Sequence, residues 1–157
     1  MSNKVFLDSS ILIEYRKGSK TELLDCLLDD ANYELFISQA VASEYLYHLL
    51  AILEGKSPLA LKSSGVIGQT LNARKPDFFV EKISWLSDKP LLFSTSVELM
   101  AQYNLLPNDA LILALCHLHE ISLIASYDPD FLEPCKRLGI TLLQNKSDFE
   151  AFIKQKT

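Results

Sequence analysis

The chain has 157 residues, 48% hydrophobic and 22% charged, with a formal charge of −5. That length suits one folded domain with a sizeable core, and the composition excludes a disordered or fibrous chain. No apolar stretch reaches membrane-spanning length and the charged start MSNK runs into a strand-like segment, so neither a membrane partner nor a secretory signal is expected and the expected location is the cytoplasm. Cys26, Cys116 and Cys135 are far apart, form no C-x-x-C pair and read as free thiols, Cys26 and Cys116 lying among leucines.

In chain order, Val5–Leu7 reads as a first strand, ended by Asp8 and followed by Ser9 and Ser10. An acid there either caps the next helix or forms one wall of a site. Leu23, Leu24, Leu27 and Leu28 mark a helix, and Leu35–Ile37 marks a second strand. A helix after Ser38 carries Val41, Tyr45, Leu49 and Ile52 on one stripe. Glu44 lies on it, about 60° around the wheel from Val41, flanking the apolar face.

Residues 55–90 read as a helical insertion without a strand up to Leu86, broken near Gly65, Gly68 and Lys75–Pro76. Leu91–Phe93 reads as the third strand. Pro107 opens a helix through Leu111, Leu115 and Leu118, with Asp109 in its first turn. Leu123–Ala125 is a fourth strand, trailed by Ser126, Asp128 and Asp130, and Ile140–Leu143 a fifth. Short buried strands alternating with helices imply a three-layer α/β/α fold over residues 1–157, with a central, mainly parallel sheet of about five strands.

Such sheets bind ligands outside the carboxyl ends of their strands. Taken singly, Asp8 and Asp128 suit turns or caps, and Asp109 suits a helix dipole. Glu44 is harder to dismiss, because an acid bordering a buried face needs a partner or a solvated cleft. All four can converge at one end of the sheet, and no lysine or arginine lies within three residues of Glu44, Asp109 or Asp128. Clustered carboxylates without cations call for a divalent metal. The negative net charge argues against nucleic acid only while those acids count as free surface.

At these residues the chain resembles the PIN-domain ribonucleases, and more narrowly the VapC-type toxins of toxin–antitoxin pairs. The resemblance runs through FLDSSILIEY, ISQAVASEYLY, LLPNDALILALC and LIASYDPDF. It implies a PIN-like fold and a catalytic metal site of Asp8, Glu44, Asp109 and Asp128, supported by Ser9 or Ser126, with Asp130 nearby. Ser9 stands where the family often has threonine. The implied chemistry is Mg²⁺- or Mn²⁺-dependent hydrolysis of RNA, which oxygen ligands without histidine suit. It also implies a homodimer and a small antitoxin protein covering the acidic groove.

Arg16, Lys17 and Lys20 are the candidates for holding RNA phosphates, with Lys62, Arg74 and Lys75 further away on the insertion. His48, His117 and His119 read as structural or surface residues, and Tyr45 and Tyr47 as packing groups. Three alternatives stand beside this reading. One is a PIN nuclease outside any toxin pair, and another a PIN module that binds RNA or protein without cutting. The third is an aspartate-dependent phosphatase, which would want a second acid where the chain has Ser10.

Overall fold

The computed structural model describes residues 3–74 and 78–156, so Lys75 and the Lys75–Pro76 break lie outside the described residues. In β1 (Lys4–Leu7), Val5, Phe6 and Leu7 are all fully buried. Successive strand residues face opposite sides, so both faces of this strand are covered. Consecutive buried residues recur in β2 (Glu34–Ile37) and β4 (Leu123–Ala125). With β3 (Ser84–Trp85) and β5 (Thr141–Leu143) these make a five-stranded, wholly parallel sheet in the order β3-β2-β1-β4-β5.

Helices supply the crossovers that parallel pairing requires. Between β1 and β2 run α1 (Ser9–Arg16) and α2 (Glu22–Asp29). Between β2 and β3 lie α3 (Gln39–Glu54), α4 (Pro58–Ser63), α5 (Ile67–Ala73) and a 3₁₀ turn, Phe78–Lys82. Next come α6 (Leu92–Tyr103) and α7 (Pro107–Leu118), then β4, a 3₁₀ turn at Pro129–Phe131 and α8 (Leu132–Leu138). After β5 comes α9 (Lys146–Lys156). α3 packs on α1 and α7, α6 on α7, and α2 on α9. The chain moves outward from β1 to β2 and β3, then returns to β4 and β5 on the other side of β1. The carboxyl ends of β1 and β4 therefore flank a topological switch point, where open α/β sheets form ligand crevices.

The third strand falls where the sequence reading puts helix, and a helix opens where it puts that strand. Ser84 and Trp85 pair with Phe36 and Ile37, and the Leu86 N–H donates to the Ile37 carbonyl at 2.9 Å. A two-residue edge strand with an exposed tryptophan carries too little alternation to be read from sequence. Leu91–Phe93 is the N-terminal edge of α6, because a short apolar run alone does not separate a strand from the start of a helix. Gly68 sits inside α5 and breaks nothing; Gly65, at φ +69°, is the residue that turns the chain.

Leu91 itself has φ +71° and is largely exposed. A leucine pays a steric cost there that glycine does not. Leu91→Gly is expected to stabilise the fold by about 0.5–1 kcal/mol, raising the melting temperature by about 1–4 °C. A melting curve checks it. Among the described residues no helix is long and apolar enough to cross a membrane.

Candidate metal centre

Asp8 is the residue after β1, and the sheet's own hydrogen bonding puts it there: its N–H donates to the Ala125 carbonyl at 3.0 Å, one strand across. Its side chain is 4% exposed. Oδ2 accepts from Ser10 Oγ at 2.6 Å, from Ser126 Oγ at 2.8 Å and, more loosely, from Ser10 N–H at 3.3 Å. The last bond makes Asp8 the N-cap of α1, as the capping reading expects. Oδ1 has one long contact, from Ser9 Oγ at 3.5 Å.

The two hydroxyls on Oδ2 reach onward. Ser10 Oγ accepts from the Tyr127 N–H at 3.0 Å, and the fully buried Ser126 Oγ accepts from the Asp128 N–H at 3.0 Å. Each hydroxyl donates to Asp8 and accepts from the loop after β4, so the two strand ends are tied together through serine. Asp128 in turn caps the following 3₁₀ turn, its Oδ1 accepting from the Asp130 N–H at 2.9 Å.

Asp109 lies in the first turn of α7. A carboxylate that merely complements a helix dipole is stabilised in its charged form. The Asp109 carboxyl is instead pushed up to about 6, first by burial and then by the negative charges of Asp128, Asp8, Asp130 and Glu44. Carboxylate oxygens of Asp109, Asp128 and Asp130 lie within 4.8 Å of one another. Asp8 and Glu44 are outside that trio and reach it through their charge. Glu44, on α3, is half-buried and accepts from Asn108 Nδ2 at 3.3 Å, which brings α3 to the start of α7.

The donors fit a hard divalent cation. All are carboxylate oxygens, and opposite ligands on an octahedral Mg²⁺ stand about 4.2 Å apart, twice the usual bond length. Among the described residues, no ion pair involves any of these five acids.

Of the acids expected from the sequence, Asp109 and Asp128 come together with Asp130, and Asp8 and Glu44 lie near enough to act on Asp109 through their charge. Ser10 and Asn108 are the participants that sequence reasoning missed as site residues. Ser10 stood out only as the place where a phosphatase would want a second acid, and Asn108 only as the neighbour of an acid. Lys17 is engaged by Glu14 at 3.1 Å, Arg16 is half-buried at the end of α1, and Arg74 Nη1 donates to the Leu53 carbonyl. Lys20 lies against the site loop, its Nζ 4.8 Å from the centre of the Tyr127 ring. Tyr45 is core, whereas Tyr47 is half exposed and no packing group. Cys116 and Cys135 are buried thiols with raised pKa, that of Cys135 to about 12, which leaves them inert.

A wholly parallel α/β sheet with acidic side chains gathered near its switch point is the frame of this candidate site. The PIN-domain family model matches residues 5–137, and the chain belongs to that family. It is 34% identical over 134 residues to Ribonuclease VapC2 of Methanocaldococcus jannaschii, covering 82% of this chain and 87% of that protein. Among solved structures, the chain is similar to a toxin–antitoxin complex from Klebsiella pneumoniae, with a TM-score of 0.55 and 19% identity over 89% of this chain and 96% of that one. VapBC2 from Rickettsia felis bound to a DNA fragment from their promoter gives a TM-score of 0.55 and 15% identity, covering 90% and 99%. Likeness at those identities speaks for the fold.

Proposed function

We infer that this protein is a divalent-metal-dependent ribonuclease that hydrolyses RNA phosphodiester bonds and acts as the toxin of a toxin–antitoxin pair in the cytoplasm. The observation that carries the reading is the cluster around the Asp109 carboxyl, which is raised to about 6 first by burial and then by four neighbouring acids, none of them in an ion pair among the described residues. Repulsion of that kind is relieved by a bound cation. The kinship with a protein named Ribonuclease VapC2 supports the reaction, and the likeness to toxin–antitoxin complexes supports a small antitoxin partner.

In this reading Asp8, Glu44, Asp109 and Asp128 hold Mg²⁺ or Mn²⁺, and Asp130 borders the same site. Once bound, the ion supplies charge for the phosphate and an activated water. The chain's own residues set the geometry. Ser10 and Ser126 hold Asp8 Oδ2 and so fix the carboxylate that would help hold the ion. Asp128 is oriented by its bond from the Asp130 N–H, and Ser126 fixes the loop on which both acids stand. Exposed Phe93 and Val97, one turn apart on α6, suit a second copy of the chain.

The test is cleavage of single-stranded RNA by purified protein. The expected result is cleavage with Mg²⁺ or Mn²⁺, abolished by chelator and restored by adding the metal back. RNA binding without cleavage in any of these ions would instead favour a non-cutting PIN module.

A further inference from the structure

Beside the acidic centre, on the outer side of the β4 end, lies a cavity of about 240 Å³ lined by Lys20, Glu22, Leu23, Tyr127, Gln144, Asn145 and Lys146. It shares a wall with the centre through Tyr127. That residue follows Ser126, its N–H is held by Ser10 Oγ, and its hydroxyl donates to the Lys20 carbonyl at 2.8 Å. Lys20 is held at φ +48°, a conformation uncommon for a residue with a side chain, with its amine over the Tyr127 ring. A strained residue locked by a neighbour next to a site points to a role there.

The far wall is equally fixed. Gln144 N–H donates to Asp148 Oδ2 at 2.9 Å, and Asp148 N–H donates to Asn145 Oδ1 at 3.0 Å. These bonds pin the turn between β5 and α9 and commit the Asn145 carbonyl oxygen. Lys146, at the start of α9, has only a loose, solvent-screened pair with Glu150 at 3.7 Å. The cavity thus offers two ammonium groups, side-chain amides as donors and the Glu22 carboxylate as an acceptor. It is smaller than the ~300–1,000 Å³ typical of ligand pockets, a size for one unit of a polymer rather than a free-standing ligand.

We propose that this cavity is a nucleotide subsite, taking the RNA unit next to the phosphate cut at the acidic centre, with Lys20 and Lys146 on its phosphate and Gln144, Asn145 and Glu22 on the edge of its base. Phosphate contacts position the strand and contacts to an unstacked base edge give preference. The inference rests on the ribonuclease reading. It assigns the substrate's path along the sheet edge toward β5, away from the α3 side that holds Glu44.

The experiment compares wild type with Lys20→Gly, Lys146→Ala, Asn145→Ala and, as a charge control on α8, Lys136→Ala. Glycine adopts the φ of residue 20 without strain and keeps the carbonyl that Tyr127 bonds, so melting curves of Lys20→Gly should match or exceed wild type. Three measurements are made: cleavage kinetics (KM and kcat) on single-stranded RNA in Mn²⁺, Mn²⁺ affinity by calorimetry, and anisotropy of a labelled RNA oligomer in chelator across a salt series. The expected result is a five- to twentyfold rise in KM for Lys20→Gly and Lys146→Ala, with kcat within about twofold and Mn²⁺ affinity unchanged. Each lysine variant should also lower the salt slope of RNA binding by about one contact. Asn145→Ala should change the preference among RNA sequences more than the salt slope. If the lysine variants behave like Lys136→Ala while wild type cleaves RNA, the subsite is wrong and the nuclease reading stands. If wild type cleaves no RNA, both fall.

Discussion

Asp109→Asn is expected to lower Mn²⁺ affinity and RNA cleavage by about tenfold to a thousandfold, while the metal-free fold becomes more stable. The opposite signs come from one cause. The Asp109 carboxyl is half-buried among Asp128, Asp8, Asp130 and Glu44, and its charge is unfavourable there until a cation arrives. The folded-state value, about 6, lies above the ordinary 3.8, so between these values the folded chain holds a proton that the unfolded chain has lost. Asp109 therefore favours the fold fully below about pH 3.8, and that contribution is lost as pH rises through about 6. Asparagine removes the dependence. Solvent screening of a half-exposed group keeps the difference to about 1 kcal/mol. Melting curves in chelator at pH 3.5 and pH 7.5 should show the variant gaining on wild type only at the higher pH. Had Asp109 merely complemented the α7 dipole, the substitution would be mildly destabilising and would leave metal binding unchanged.

Ser126→Ala carries the second large effect. The side chain is fully buried, donating to Asp8 Oδ2 and accepting from the Asp128 N–H. Alanine leaves an acceptor and a donor short of one partner each, which costs about 1–3 kcal/mol and about 2–4 °C in melting temperature per kcal/mol. Because the serine orients two of the acids, cleavage should also fall by about 10–100-fold, the usual range for a group that positions a metal ligand. Ser9→Ala is the comparison: its hydroxyl makes one long contact to Asp8 at 3.5 Å, so its loss should cost under about 1 kcal/mol. Equal effects from the two variants would contradict the hydrogen-bond network as described.

The sequence reveals the parts of this molecule where local pattern and burial agree. β1, β2 and β4 are runs of three buried apolar residues, and each is followed by a polar residue that the parallel sheet carries to one edge. Glu44 stood out because helical spacing places it beside an apolar stripe, and Asp109 because it falls in the first turn of the helix that Pro107 opens. β3 was not legible, since Ser84 and Trp85 are held by the register of β2 across the sheet rather than by their own pattern. Leu91 was misread for the complementary reason: its left-handed backbone is imposed by the turn into α6, with the Leu92 N–H bonded to the Lys89 carbonyl. The share of Ser10 in the site, and the approach of Asn108 to Glu44, depend on which strand ends and helix starts become neighbours. Spacing along one chain does not carry that information.

The most direct measurement is anomalous diffraction at the manganese edge from crystals of the protein equilibrated with Mn²⁺. The expected result is density between Asp8, Glu44, Asp109 and Asp128, with Asp130 bordering it. Ordered Mn²⁺ only at other surface carboxylates, with the switch-point acids bare at saturating metal, would contradict the assignment of these residues to a metal centre.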